Sequence, residues 1–554
     1  WLLGRRDEAL DGTASLTVGH TRLAVDIDGE RLRLRPSGHV ALLPSVRGQL
    51  PPQVSWDLQA RNLWRLPVSA ANLAWCAALA ALLAGVAGWI AAARAAKAAR
   101  RRAFAATAAN TMLALGGMAL LAMQRSGSAP GAGIAAMLGA CALFNLMLGT
   151  GRLRLVPAVA ALLLGIGLLA QLELGLGASD SAALRHVSRS AALAAVGLGL
   201  LPLLRHLAPR VPIRQAMAEW LLLSAAGIAL SALLLQAAIG DETGVLDVQP
   251  VEFAKLALIA LTAHCLALAR GSVTSAPAWL RILAPAALFI VLLAVALIQV
   301  DDYSPLVLLL VWAATMAFAW TLASGNKRLA GMIAALCCTG AVAVAAVQQE
   351  APGRVESLQF YGDRFQVWLD PEGHPHTGQQ VLRAAGAIAS GGTWGADDVL
   401  GLASLGQRGG DALRIPAVQD DFAPSFFLNR HGIAGGIVLW LLQSLFVAGL
   451  TQLAVRHWQA SAATRDFRSA WLERLRCFVS AGGAGFVAGH LLLSWGTNLG
   501  ILPVMGQPMS FLSAGGSHLL FFICPLLVFA ATSAESFEEN ESCRSTSNMK
   551  PLAR

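Results

Sequence analysis

Residues Asn498 to His518 read NLGILPVMGQPMSFLSAGGSH, and their place in the chain decides the fold. The stretch lies between two apolar segments near the C-terminus. Pro503, Gly506 and Pro508 break regular structure, and Gly515-Gly516 lets the backbone turn sharply before a last apolar helix begins. It is too rich in Gly and Pro for a helix and too apolar for a solvated loop. Irregular backbone beside membrane spans is tolerated where it is packed in protein or lines a wet cavity. On local grounds a tight interhelical turn with packing glycines accounts for it as well.

The rest of the chain agrees with a membrane setting. Of its 554 residues 56% are hydrophobic and 13% charged, with a mean hydropathy of +0.60, which points to a polytopic membrane protein. The eight cysteines are scattered, with no CxxC and no His/Cys cluster, so neither a disulfide framework nor a zinc site is suggested. The arginines are spread over separate loops, and nothing suggests nucleic-acid binding.

Residues 1–68 differ from the rest of the chain. Leu23, Val25 and Ile27 alternate with polar residues, Asp28-Gly29 comes next, and Leu32 and Leu34 alternate with arginines. This predicts a β-hairpin in a small β-rich extramembrane region, a docking or spacer unit without a catalytic motif. From about Ala70 apolar runs predict spans near 72–93, 105–124, 131–149, 155–174, 188–204, 217–238, 252–269, 282–300, 304–323, 329–347, 431–453, 477–496 and 515–532. Each approaches the ~20 residues that cross a bilayer, giving about thirteen transmembrane helices in an all-α polytopic protein. Every second loop is basic: Arg94 to Arg102, Arg152 and Arg154, Arg205 to Arg214, Arg270 to Arg281, Lys327 and Arg328, and Arg456 to Arg476. Those loops are expected in the cytoplasm. The alternate loops, with Asp241, Glu242, Asp301, Asp302 and the long 348–430 segment, then face outward, as do residues 1–68 and the 498–518 stretch.

Three constellations share that outer side. Glu252 and Lys255 in QPVEFAK are i and i+3, so they lie on one helix face and can pair, with Pro250 suited to a first helical position; snorkelling to the interface explains two such charges equally well. Asp301-Asp302 forms an acidic turn. The 348–430 loop is too long for a connector, and Gln379 to Ala389 is periodic enough for a short helix on or in the membrane surface.

Asn498, Gly500, Pro503, Val504, Gly506, Pro508, Phe511, Ser513, Gly515, Gly516 and Ser517 together resemble the C-terminal signature of the SEDS family (shape, elongation, division and sporulation), the FtsW/RodA/SpoVE-like peptidoglycan glycosyltransferases. Met505 stands for the usual Thr and Ser510 for a second Pro. Gln249, Pro250, Glu252 and Lys255 resemble the family's Q-P-S-E-x-x-K, Asp302 its acidic turn, and Arg364 to Pro371 its R-x-x-x-F-L-N-P. Ser390 to Gly395 resemble S-G-G-L-x-G, and Pro416 with Asp421-Phe422 resembles L-P-E-x-x-T-D-F. Where active members carry D-P-x-G-x-G-Y-Q, this chain reads His374-Pro375-His376-Thr377-Gly378-Gln379-Gln380. Where they carry G-E-E-x-G, it reads Leu428-Asn429-Arg430-His431-Gly432. The resemblance covers roughly 150–535. It implies a ten-helix core over 151–535, three extra helices over 69–150 and a cytoplasmic tail at 536–554.

What the resemblance implies is polymerisation of lipid II, an undecaprenyl-pyrophosphate disaccharide-peptide, on the outer face of the bacterial cytoplasmic membrane, in division or cell-shape maintenance. Expected partners are a class B penicillin-binding transpeptidase and divisome or elongasome proteins. A base must take the proton of a sugar 4-hydroxyl, and positive charge from Lys, Arg or a divalent cation (Mg or Mn) must stabilise the departing pyrophosphate. The implied catalytic residues are Glu252, Lys255 and Asp421, with His374 or Asp370 in place of the lost loop Asp. Gln249, Asp302, Arg364, Asn498, Pro503, Ser513, Gly515, Gly516 and Ser517 are implied to bind substrate. The substitutions at 374 and 429–430 also fit a non-catalytic scaffold or regulator of cell-wall synthesis. A lipid-linked-sugar flippase is the third reading, disfavoured because most charges collect at the outer ends of spans.

The alternation of basic loops gives a direct test. Single cysteines in 94–104, 205–214 and 454–476 should be shielded from an impermeant thiol reagent on intact cells, and those in 1–68, 348–430 and 498–514 should react. Labelling of 454–476 from outside overturns the assignment.

Overall fold

The computed structural model describes residues 15–18, 21–28, 31–36, 70–94, 99–125, 131–148, 155–177, 184–207, 215–239, 248–272, 276–300, 303–348, 362–374, 378–396 and 415–533. The hairpin is present: β2 (Thr21–Asp28) pairs antiparallel with β3 (Arg31–Pro36), Ile27 opposite Leu32 and Val25 opposite Leu34. A further strand not foreseen, β1 (Ser15–Val18), pairs with the other edge of β2.

Helices then succeed one another: α1 (Ala70–Arg94), α2 (Arg100–Arg125), α3 (Ala132–Leu148), α4 (Leu155–Gly177), α5 (Leu184–Leu207), α6 (Gln215–Ile239), α7 (Pro250–Ser272), α8 (Ala276–Gln299), α9 (Ser304–Ala323) and α10 (Lys327–Gln348). Two short helices, α11 (Gly362–Leu369) and α12 (Gln379–Gly391), precede the long α13 (Ala423–Ala463) and α14 (Phe467–Asn498). The last span, α15, covers Gly516–Ser533 and includes a π-helical turn at Leu519–Ile523. Among the described residues eleven helices are long and apolar enough to cross a membrane, and Ala78–Ala93 of α1 and Ala132–Met147 of α3 are shorter apolar stretches. The molecule is thus a polytopic helical membrane protein. Asp241, Glu242, Asp301, Asp302 and the 536–554 tail lie outside the described residues.

Helices α7 and α14 are the most enclosed spans, and α14 touches α7, α9 and α13. Its glycines make this possible. A side chain on Gly482 would press on Ile259 and Trp312, and one on Gly489 on Leu308. Small residues let neighbouring backbones approach where lipid supplies no hydrophobic drive. The extra helices are built on α5 by the same means: a Cβ on Gly117 would stand 2.6 Å from the Ala192 carbonyl oxygen. Asn145 Nδ2 adds a 2.8 Å hydrogen bond to Asn110 Oδ1 between α3 and α2.

Helix α13 begins eight residues earlier than the apolar run suggested and is broken at Gly432, whose φ of 67° only glycine adopts readily. Ahead of the break, Arg430 Nε donates to Glu173 Oε1 of α4 at 2.8 Å, and His431 Nε2 lies 3.3 Å from Glu173 Oε2. Both Arg430 and Glu173 are buried. Removing one partner of such a pair strands the other charge. Arg430→Met should therefore destabilise the protein by about 3–5 kcal/mol, read as an earlier melt in detergent, and adding Glu173→Gln should restore most of it. Equal stability of Arg430→Met and wild type contradicts the pairing.

Candidate active site

The irregular stretch folds over one end of the helix bundle and is held there by a buried polar chain. Glu252, in the first turn of α7, lies among apolar neighbours with 1% of its surface exposed. A carboxylate so enclosed must find partners. Its Oε1 accepts from Lys255 Nζ at 2.7 Å, one turn along the same face. Its Oε2 accepts from His518 Nδ1 at 2.8 Å, and His518 Nε2 lies in hydrogen-bond contact with the Ser510 hydroxyl at 2.9 Å. Lys255 Nζ also donates to His490 Nε2 of α14 at 2.9 Å, and His490 Nδ1 donates to the Pro508 carbonyl oxygen at 3.1 Å. Lys255, His490, Ser510 and His518 are all buried. The Glu252 and Lys255 charges meet directly, with the two imidazoles between them and the loop.

Glu252, His490 and His518 bring three donor atoms within 4.8 Å of one another. Two ring nitrogens suit a transition metal, whereas Mg and Mn prefer oxygen. Lys255 Nζ already bonds two of the three residues. The cluster therefore fits a proton network and does not fit the divalent cation expected for the pyrophosphate.

The predicted binding residues form a second layer above this chain. Asn498, at the end of α14, donates from Nδ2 to the Asp421 and Ser494 carbonyl oxygens, both at 2.8 Å, and its Oδ1 accepts from the Ser425 amide and hydroxyl. Ser513 Oγ donates to the Asp420 carbonyl oxygen at 2.6 Å, and the Ala514 amide to that of Gln419 at 2.9 Å. Ser517 Oγ accepts from the Gln249 amide at 3.0 Å, and the Pro503 carbonyl oxygen from the Thr497 hydroxyl. Gly516 lacks a side chain where Arg189 of α5 lies across it, 3.1 Å from the site of a Cβ, and Gly515 packs on Pro508. Helix α11 docks on the same stretch: Arg364 Nη1 donates to the Val504 carbonyl oxygen at 3.1 Å and Trp368 Nε1 to that of Gly500 at 2.8 Å.

Asp420 and Asp421 thus stand at the rim of the loop, with Asp421 Oδ2 3.9 Å from where Gly506 would carry a Cβ. Burial raises the Asp420 carboxyl, against the opposing pull of Gln419 and Arg189. Burial raises Asp421 to about 6, the neighbouring Asp420 charge adds to the rise, and Arg364 opposes it.

His374 and Asp370 lie together just past α11. The Asp370 side chain accepts from the Gly373 amide at 3.0 Å and so shapes the turn. His374 is half-buried, and its Nδ1 donates to the Asp370 carbonyl oxygen at 2.8 Å, which leaves Nε2 as the basic nitrogen. Asp302 lies outside the described residues. Sequence reasoning missed His490, His518, Ser510, Asp420 and Arg189. The available signal was the Glu252-Lys255 pair itself, since buried charges at the head of an apolar helix demand polar partners from elsewhere.

Residues 153–536 match the family model FTSW_RODA_SPOVE, described as cell cycle protein. The chain is 29% identical over 318 residues to a probable peptidoglycan glycosyltransferase FtsW of Thiomicrospira cyclica, covering 55% of this chain and 71% of that one. To the peptidoglycan glycosyltransferase RodA of Mycobacterium tuberculosis it is 25% identical over 323 residues, 54% of this chain and 60% of that one. To the stage V sporulation protein E of Bacillus subtilis it is 26% identical over 281 residues, 50% of this chain and 67% of that one. Among solved structures, a chain of a peptidoglycan synthase complex aligns with TM-score 0.48 and 23% identity, over 69% of this chain and 97% of its own. A crystal structure of a RodA mutant from Thermus thermophilus aligns with TM-score 0.42 and 20% identity, over 69% of this chain and 96% of its own.

The Asp421 environment makes a stability prediction. The folded carboxyl keeps its proton up to about pH 6, whereas an unfolded one releases it near pH ~3.9. Its contribution to stability is lost as pH rises through that window. Asp421→Asn should therefore stabilise the protein at pH 7.5 by ~3 kcal/mol, seen as a higher melting temperature, and the advantage should vanish at pH 4. An unchanged or lower melt at pH 7.5 contradicts a carboxylate held charged against burial.

Proposed function

Because the chain belongs to the family of FtsW, RodA and SpoVE, we propose that it is a peptidoglycan glycosyltransferase that polymerises lipid II at the outer face of the cytoplasmic membrane. The relatives named peptidoglycan glycosyltransferase support the activity class. The observation that carries the reading to particular residues is the joining of Glu252, Lys255, Asp421 and Arg364 around one loop.

The parts divide by exposure. Glu252 and Lys255 are sealed inside, so they act as positioning residues that hold the loop through His518 and His490. Asp421 sits half-buried at the rim, and its carboxyl near 6 suits a base at neutral pH. It takes the proton of the acceptor sugar's 4-hydroxyl as that oxygen attacks the anomeric carbon of the second lipid-linked sugar. The bond to pyrophosphate breaks in the same step, and Arg364 and Arg189 neutralise the departing anion. His374, with Nε2 as its basic nitrogen, is the alternative base. A class B transpeptidase crosslinking the product, within the division or the elongation machinery, belongs to the same proposal. A magnesium or manganese ion belongs with the substrate's own oxygens and not with the histidine-rich cluster.

The test is polymerisation of labelled lipid II by the purified protein, with and without candidate transpeptidases. Wild type should make glycan chains, with a rate that falls as pH drops through about 6. Asp421→Asn should lose at least ~100-fold, and Glu252→Gln and Lys255→Met should lose activity without loss of protein. If His374→Ala abolishes polymerisation and Asp421→Asn does not, His374 is the base. Absence of glycan under every condition supports the scaffold or regulator reading.

A further inference from the structure

A second site lies about two-thirds of the way along α7. His264 is twelve residues beyond Glu252 on this helix, which places it about 18 Å further along the axis. There α6, α7, α14 and α15 leave a groove of about 370 Å³ between them, walled by Leu222, Leu256, Ala260, Leu475, Val479 and Phe529. That volume falls within the ~300–1,000 Å³ of small-molecule sites. Leu221, at the groove's edge, is more than half exposed on the lipid-facing side of α6, so the groove opens sideways into the bilayer.

The wall is apolar except at one end, where His264 and Trp471 also line it. Their rings meet edge to face with centroids 5.6 Å apart. His264 is 4% exposed, and its Nδ1 is buried without a partner. Trp471 Nε1 is likewise buried and unpartnered, and so is Nη1 of Arg474, one turn further along α14. The nearby carboxylate meets the other ring nitrogen: Glu219 Oε1 accepts from Gln215 Nε2 at 2.8 Å and faces His264 Nε2 at 3.6 Å. An indole N–H and a guanidinium only donate, so the missing ligand is an acceptor, and the guanidinium favours an anion. The polar end belongs to the first turns of α6 and α14, next to the basic 205–214 and 454–476 loops expected in the cytoplasm.

We propose that this groove is a binding site for an anionic glycerophospholipid of the cytoplasmic leaflet. One acyl chain fills the apolar groove, and the phosphate accepts hydrogen bonds from Trp471 Nε1, Arg474 and His264. The site is separate from the Glu252 network and does not rest on the proposed polymerase activity.

The full chain, purified in detergent, is titrated with phosphatidylglycerol and with phosphatidylcholine of the same acyl chains. Bound lipid is counted by native mass spectrometry, and melting temperature is followed alongside. Phosphatidylglycerol should bind at least tenfold more tightly and raise the melting temperature. Trp471→Phe and Arg474→Gln should reduce it to the level of phosphatidylcholine, and Ala260→Trp should remove both lipids by filling the groove. Equal binding of the two lipids, or an undiminished preference in both Trp471→Phe and Arg474→Gln, overturns the proposal. So does displacement of phosphatidylglycerol by an equimolar amount of undecaprenyl phosphate, which assigns the groove to a polyprenyl lipid instead.

Discussion

A carboxylate with both oxygens committed inside an apolar bundle governs this architecture. Glu252 gives one oxygen to Lys255 and the other to His518. In low dielectric neither charge survives alone, so the pair must be completed wherever the chain can supply polar groups. It is completed by three separate elements: α7 itself, His490 on α14, and the loop with the head of α15. The 498–518 stretch could pack against the bundle by apolar contact alone in many ways. Fixed through Pro508, Ser510 and His518, it packs in one.

Everything nearer the solvent inherits that position. Ser513, Ala514 and Asn498 hold the backbone of residues 419–421 to the loop, so the two rim carboxylates are placed by hydrogen bonds that never touch their side chains. The backbone stores strain where this happens. Phe511 and Ala417 have φ of 75° and 53°, values that L-residues rarely adopt, and the π turn of α15 begins directly after His518. Strained segments of this kind persist only where the surroundings over-determine them, and they gather at functional sites. A buried hydrogen-bonded network beneath a strained rim makes a rigid platform.

The spans were legible because the hydrocarbon core imposes length and composition on each of them, and β2 with β3 because alternation and a turn suffice to set a hairpin. The pairing of Glu252 with Lys255 was legible because three residues on a helix make one face. What the sequence did not show were partners made by tertiary packing. His490 lies 235 residues from Lys255, and His518 266 residues from Glu252; each reads locally as a lone polar residue in an apolar run. The short β1 has too few residues for a pattern. The break at Gly432 was hidden because the polar Asn429-Arg430-His431 ahead of it read as the end of the loop and not as helix.

The departures from the family pattern can be weighed by what surrounds them. Where the family carries two Glu residues, this chain has Asn429 and Arg430. Arg430 is buried, and an isolated guanidinium there would destabilise the fold severely; Glu173 on α4 meets it with a 2.8 Å bond. The Arg430 charge is neutralised across the α4–α13 contact. Asn429 meanwhile bonds the Ala387 carbonyl oxygen and Ser390 Oγ, so α12 is still pinned to α13. The two residues are integrated, and they lie on the segment that delivers Asp421 to the loop. The replacement of the loop Asp by His374 has no such structural account: its ring makes one backbone hydrogen bond and is otherwise half open. That asymmetry, with the raised Asp421 carboxyl, supports Asp421 over His374 as the proposed base.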